Sequence, residues 1–145
     1  MEIRKQMKTS KLYEIAEKEN IHIYNYKMKN HKARIISDTQ GNVIFMNYKD
    51  IHSSIEEKEL LAEELGHYYY DAYYSINSSK EDIERCEYKA NKWMALTLCP
   101  ASKLMECFES GICNLYDIAE QLELSPKIVQ FAYDYYKNNN LIKCS

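Results

Sequence analysis

The segment Leu61-Ala62-Glu63-Glu64-Leu65-Gly66-His67 combines residue types and a spacing that could do chemistry. Side chains four apart on a helix project from one face, so Glu63 and His67 could grip one ion. Glu64 sits about 100° further round, near enough to reach a water on that ion without ligating it. This is the geometry of an HExxH hydrolytic metal site. There, two ligands come from positions i and i+4, and the glutamate between them takes a proton from the water that attacks a carbonyl. Here a glutamate, Glu63, stands in place of the first histidine. A third ligand has to come from another element, and the next helical segment offers Glu84 and Glu87. An EExxH run in a glutamate-rich helix is also what a solvated acidic face looks like, and on spacing alone both readings stand.

The elements that must position these residues are legible in the periodicity. Leu12, Ile15 and Ala16 share a face, predicting a helix over 9–19. The period then changes, and residues 21–28, 33–37 and 43–47 read as three strands, the last two a hairpin around Gln40-Gly41-Asn42. Ser53 and Ser54 precede Glu56 and Glu57 at capping-box spacing, so a long helix starts near Ser54 and continues through Ala72. Ser78 and Ser79 with Glu81 and Asp82 open the next helix, which Pro100 stops. Helices near 101–109 and 115–122 follow, and Ser125-Pro126 opens a last one through Tyr136. Strands followed by helices place the chain in the α+β class.

With 145 residues and only 3 Gly and 2 Pro, the chain is expected to form a single domain. Residues 1–100 would carry helix, sheet and metal-site helices, and 101–145 a helical C-terminal subregion. Lys and Arg number 19 against 22 Asp and Glu, a balance that disfavours direct nucleic-acid binding. The charge is unevenly spread: from Glu56 to Glu87 ten acidic residues face three basic ones, a local −7, while the rest nets +4. A cation-attracting centre between mildly basic ends is the consequence. No run approaches the roughly 20 apolar residues of a membrane helix, and the N-terminus is charged, so a soluble cytoplasmic protein is expected. The 5 cysteines are odd in number and form no CxxC, which leaves them reduced and structural.

The whole arrangement resembles the ImmA/IrrE family of small metallopeptidases. The resemblance spans roughly residues 10–136. It rests on the N-terminal helix and hairpin, on Leu61 to Tyr68 read as LAEELGHY, and on Glu87, Ala90, Asn91, Trp93 and Pro100 in the second helix. It implies a zincin-like fold with a helical C-terminal wall, His67 and Glu87 as zinc ligands, and Glu64 as general base. Glu63 stands at the family's first-histidine position. One histidine and two glutamates can still make a three-ligand site with an open position, and such ligands also admit manganese. The resemblance further implies a protein partner, a helix-turn-helix repressor of a prophage or mobile element, which the enzyme cleaves or inactivates.

Two alternatives accompany that expectation. In one, Glu63 abolishes useful metal affinity and leaves a module that recognises a regulator without cutting it. In the other, residues 115–136, which resemble a helix-turn-helix in spacing, read DNA, although Lys127 is accompanied there by Asp134 and several tyrosines. His22, His31 and His52 lack i,i+4 partners and are expected outside the site. Asp71 is an outside candidate to orient His67. One of Tyr68, Tyr69, Tyr70, Tyr73 and Tyr74 could face the metal, but spacing does not say which.

Overall fold

The computed structural model describes residues 7–142, and Cys144 lies outside them. They divide into two compact units, one of residues 8–93 and one from Met94 onward, with the division falling inside a helix.

The first unit begins with α1 (Thr9–Lys18), whose buried Leu12 and Ala16 form its inner stripe. Three strands follow, β1 (His22–Asn25), β2 (Ala33–Asp38) and β3 (Gly41–Met46). Their order is β1-β3-β2, with β2 antiparallel to β3 as the hairpin predicts and β1 parallel to β3. β2 is therefore an edge strand. Alternation along the strands buries Ala33, Ile35, Ile44 and Met46 on one face and turns Arg34, Phe45 and Tyr24, which share a register row, to the other. A short 3-10 turn (Tyr48–Asp50), absent from the sequence reading, leads to α2 (Ser54–Tyr69). β1 is shorter than the strand expected over 21–28.

α2 also ends earlier than expected. The Ala72 N–H donates to the His67 carbonyl at 2.8 Å, and the Asp71 N–H to that of Tyr68 at 3.2 Å, with Asp71 left-handed at φ 49°. This six-to-one closure stops the helix and folds the chain back over its last turn. α3 (Lys80–Leu98) starts where Ser79 Oγ accepts the Asp82 N–H at 3.1 Å, and it ends ahead of Pro100.

Beyond Met94 the second unit holds α4 (Ala101–Glu109), α5 (Leu115–Leu122) and α6 (Pro126–Asn138), close to the expected spans. Asn114 caps α5 by accepting the Tyr116 and Asp117 N–H groups. Leu104, Leu122, Val129 and Ala132 are fully buried, and the Tyr136 hydroxyl donates to the Cys99 carbonyl at 2.8 Å. The fold class is α+β, as the sequence indicates. Among the described residues no helix is long and apolar enough to cross a membrane.

Candidate metal centre

α2 is set in register by its start: Ser53 Oγ accepts the Glu56 N–H at 3.0 Å, and Glu56 Oε1 accepts the His52 N–H at 3.1 Å. From there Leu61 and Leu65 enter the core, and Glu64 and His67 are buried with them. The close approach of α3 depends on Gly66. A Cβ at that position would lie 2.6 Å from the Ala90 carbonyl oxygen, so only glycine lets the two backbones meet. Glycine costs about 1 kcal/mol in a helix interior relative to alanine, and here that cost is offset by the crossing it permits.

One turn before Ala90 stands Glu87, and the crossing brings it to Glu63 and His67. One ligand atom from each of the three lies within 4.8 Å of the other two. His67 Nε2 is 3.6 Å from Glu87 Oε1. Two ligands at about 2.1 Å from one tetrahedral ion stand about 3.4 Å apart, so this spacing suits a shared cation. The other imidazole nitrogen, Nδ1, lies 2.7 Å from the Ala72 carbonyl oxygen, a position the turn after α2 creates. With the proton on Nδ1 donated there, Nε2 presents its lone pair.

Glu64 faces the same centre along a different route. Its Oε2 accepts the Ile35 N–H from the β2 edge at 2.8 Å. A cleft opens between this edge and the residues after α2, with Glu64, His67, Arg34, His31, Tyr73 and Tyr74 among its walls. Burial raises Glu64 above the ordinary carboxylate range, against the pull of His67 and the Ile35 N–H. Burial and the neighbouring Glu87 also raise Glu63. Glu87 is held low, first by His67 and then by bonds from Glu63 and Tyr74 that outweigh its own burial. Burial opposes charge on His67, but Glu87 and Glu64 outweigh it and raise its pKa. Without a cation a proton has to separate the two carboxylates, and a divalent ion could take its place. The donor set, two carboxylates and an oriented imidazole, fits such an ion.

The structure thus brings together Glu63, His67 and Glu87, with Glu64 beside them. Glu84 is not among them; it is exposed and pairs with Lys80 at 4.0 Å. The Nδ1 partner of His67 is the Ala72 carbonyl rather than Asp71, because Asp71 occupies the left-handed position that ends α2. The tyrosines separate. Tyr68 and Tyr69 turn to Glu19, and Tyr73 donates to Asn42 at 2.7 Å. Tyr74 reaches the centre: its hydroxyl donates to Glu87 Oε1 at 2.6 Å, and its ring meets His67 edge-on at 5.9 Å. His31, expected outside the site, lines the cleft together with Arg34. No local pattern announces these two, because a loop and an edge strand carry them there.

A small α+β unit that crosses two helices to gather two carboxylates and an imidazole is the architecture of a metallohydrolase scaffold. The sequence profile described as Peptidase_M78, IrrE N-terminal-like domain, matches residues 16–133. The chain belongs to this metallopeptidase family. Membership implies a divalent metal, for which Glu63, His67 and Glu87 form a candidate site. Comparison with curated proteins gave no match.

Proposed function

We propose that this chain is a zinc-dependent peptidase in which Glu63, His67 and Glu87 hold the metal and Glu64 serves as general base. The observation that carries the reading is the convergence of those three ligand atoms within 4.8 Å, with His67 lining the cleft that Glu64 also lines. When bound, the metal supplies Lewis acidity to a peptide carbonyl and to water. Glu64 takes the proton of the attacking water and passes it to the departing amine. The Ile35 N–H fixes one Glu64 oxygen, so the carboxylate needs no reorientation between those transfers. The Ala72 carbonyl fixes the tautomer of His67, and Tyr74 holds Glu87 in place. Manganese is the alternative ion for so carboxylate-rich a set. The substrate we infer is a helix-turn-helix repressor of a prophage or mobile element, in line with the family resemblance.

One competing reading has an observation in its favour. Glu63 adds a second carboxylate where the family has an imidazole, which offsets the charge of a dication and lowers its power to acidify water. A module that binds a regulator without cutting it would follow. Metal analysis of protein purified without chelator, followed by incubation with a mixture of denatured proteins and mass spectrometry of new termini, separates the two. The peptidase reading expects one zinc per chain and new termini that vanish with Glu64→Gln. Stoichiometric protein without metal, unaffected in thermal stability by added zinc, supports the binding module.

A further inference from the structure

Arg34 stands out in the cleft because its charge is fixed in place and, among the described residues, forms no ion pair. β2 carries it between the buried Ala33 and Ile35, at the sheet edge, and it lines the cleft with Glu64 and His67. Its guanidinium lies 5.4 Å from the centroid of the Tyr74 ring, and its Nη2 donates to the Tyr74 carbonyl at 3.1 Å. Nη1 is 3.4 Å from His31 Nε2. These contacts hold the fork by stacking and by two of its five donors, and leave the others available. Among the described residues no carboxylate lies within ion-pair distance of it. The nearby acids are occupied: Glu87 by Tyr74 and His67, and Glu64 by the Ile35 N–H.

A half-buried guanidinium pinned at the wall of a cleft and lacking an anionic partner is complementary to a planar carboxylate, which it can meet with two parallel N–H donors. A single positive fork beside Glu64 suits one negative charge better than the nearly two charges of a phosphate. Tyr74 sets the distance. Its hydroxyl holds Glu87 while its face carries Arg34, so one phenol ring separates the guanidinium from the candidate metal centre.

We propose that Arg34 is the specificity-determining residue of this cleft and receives a carboxylate of the bound polypeptide next to the reacting bond. The inference rests on the proposed peptidase reading only in taking the cleft's ligand to be a polypeptide. The carboxylate can come from an internal Asp or Glu or from a free C-terminus, and the two sources call for separate arms.

The test uses pools of short N-acetylated peptides incubated with the full chain as purified, carrying Glu64→Gln to prevent turnover, with retained peptides identified by mass spectrometry. One pool has internal Asp or Glu and an amidated C-terminus. The second has Asn or Gln at the same positions and is amidated, and the third has Asn or Gln and a free C-terminus. The expected result is about tenfold retention of one carboxylate-bearing pool over the neutral one. That ratio should fall to near one with the added Arg34→Gln change and recover only partly with Arg34→Lys, which keeps the charge without the fork. The first pool winning assigns an internal acidic side chain, and the third winning assigns the terminal carboxylate. Equal retention of all pools, retention of none, or a preference that survives Arg34→Gln overturns the assignment. Cleavage is scored separately with Glu64 intact. Cutting of neutral and acidic peptides alike keeps the peptidase and removes Arg34 from specificity. Arg34-dependent retention without cutting keeps the carboxylate site and removes the peptidase.

Discussion

Residues 8–93 and the residues from Met94 onward are built by the same means, capped amphipathic helices over an apolar core, yet they bury different things. In the first unit Asn47, Lys58, Glu64 and His67 lie within the interior, whereas Lys103 is the corresponding residue described in the second. Burying a carboxylate and an imidazole costs stability unless each finds a partner, and here the partners are the Ile35 N–H, the Ala72 carbonyl and Glu87. Helix ends do not divide the units in the same way. α4 closes on Gly111 at φ 81°, with the Ile112 N–H returning to the Cys107 carbonyl, while α2 closes by the same pattern on Asp71, a residue less suited to that conformation. What sets the first unit apart is its buried polar centre, since the second unit also ends helices on left-handed non-glycine residues, Glu123 after α5 and Asn140 after α6.

Substitutions in the two units should therefore differ in what they disturb. The largest effect on stability among these substitutions is expected at a core leucine of the second unit. Leu122→Ala, at a fully buried position, should lower unfolding free energy by about 2–5 kcal/mol in denaturant titration while leaving the zinc affinity of folded molecules unchanged. Gly66→Ala comes next. Alanine favours a helix, but its Cβ has nowhere to go against the Ala90 carbonyl, so a net loss of about 1–3 kcal/mol is expected together with weakened zinc binding. A stabilised Gly66→Ala protein would break the account of the helix crossing. Tyr74→Phe removes the hydroxyl that holds Glu87 and should weaken zinc affinity about 10–100-fold by calorimetry, with little change in melting temperature of the metal-free protein. The smallest effect is a gain. Asp71→Gly should stabilise the fold by roughly 0.5 kcal/mol and leave zinc affinity alone, since His67 takes its partner from Ala72.

The two units also differ in how much of them could be read in advance. Asn114, Gly111 and Ser125-Pro126 mark helix ends by local chemistry, so α4 to α6 lie close to their expected spans. The i,i+4 pair Glu63 and His67 is equally local. Choosing Glu87 over Glu84 is not, because the choice depends on which turn of α3 meets Gly66. Ala72 escaped notice for a different reason. Helical periodicity runs on through Tyr68 and Ala72, and the left-handed Asp71 that interrupts it is a residue type that gives weak warning. Arg34 and His31 reach the cleft through strand pairing and a loop, which sequence spacing does not encode.

The central claim is that Glu63, His67 and Glu87 together bind one divalent cation. Crystals of the full chain grown with saturating zinc, measured on both sides of the zinc absorption edge, test it most directly. The account predicts a single strong anomalous peak about 2.1 Å from His67 Nε2 and from one oxygen each of Glu63 and Glu87. An empty centre at saturating zinc, or a peak held elsewhere on the chain, would contradict it.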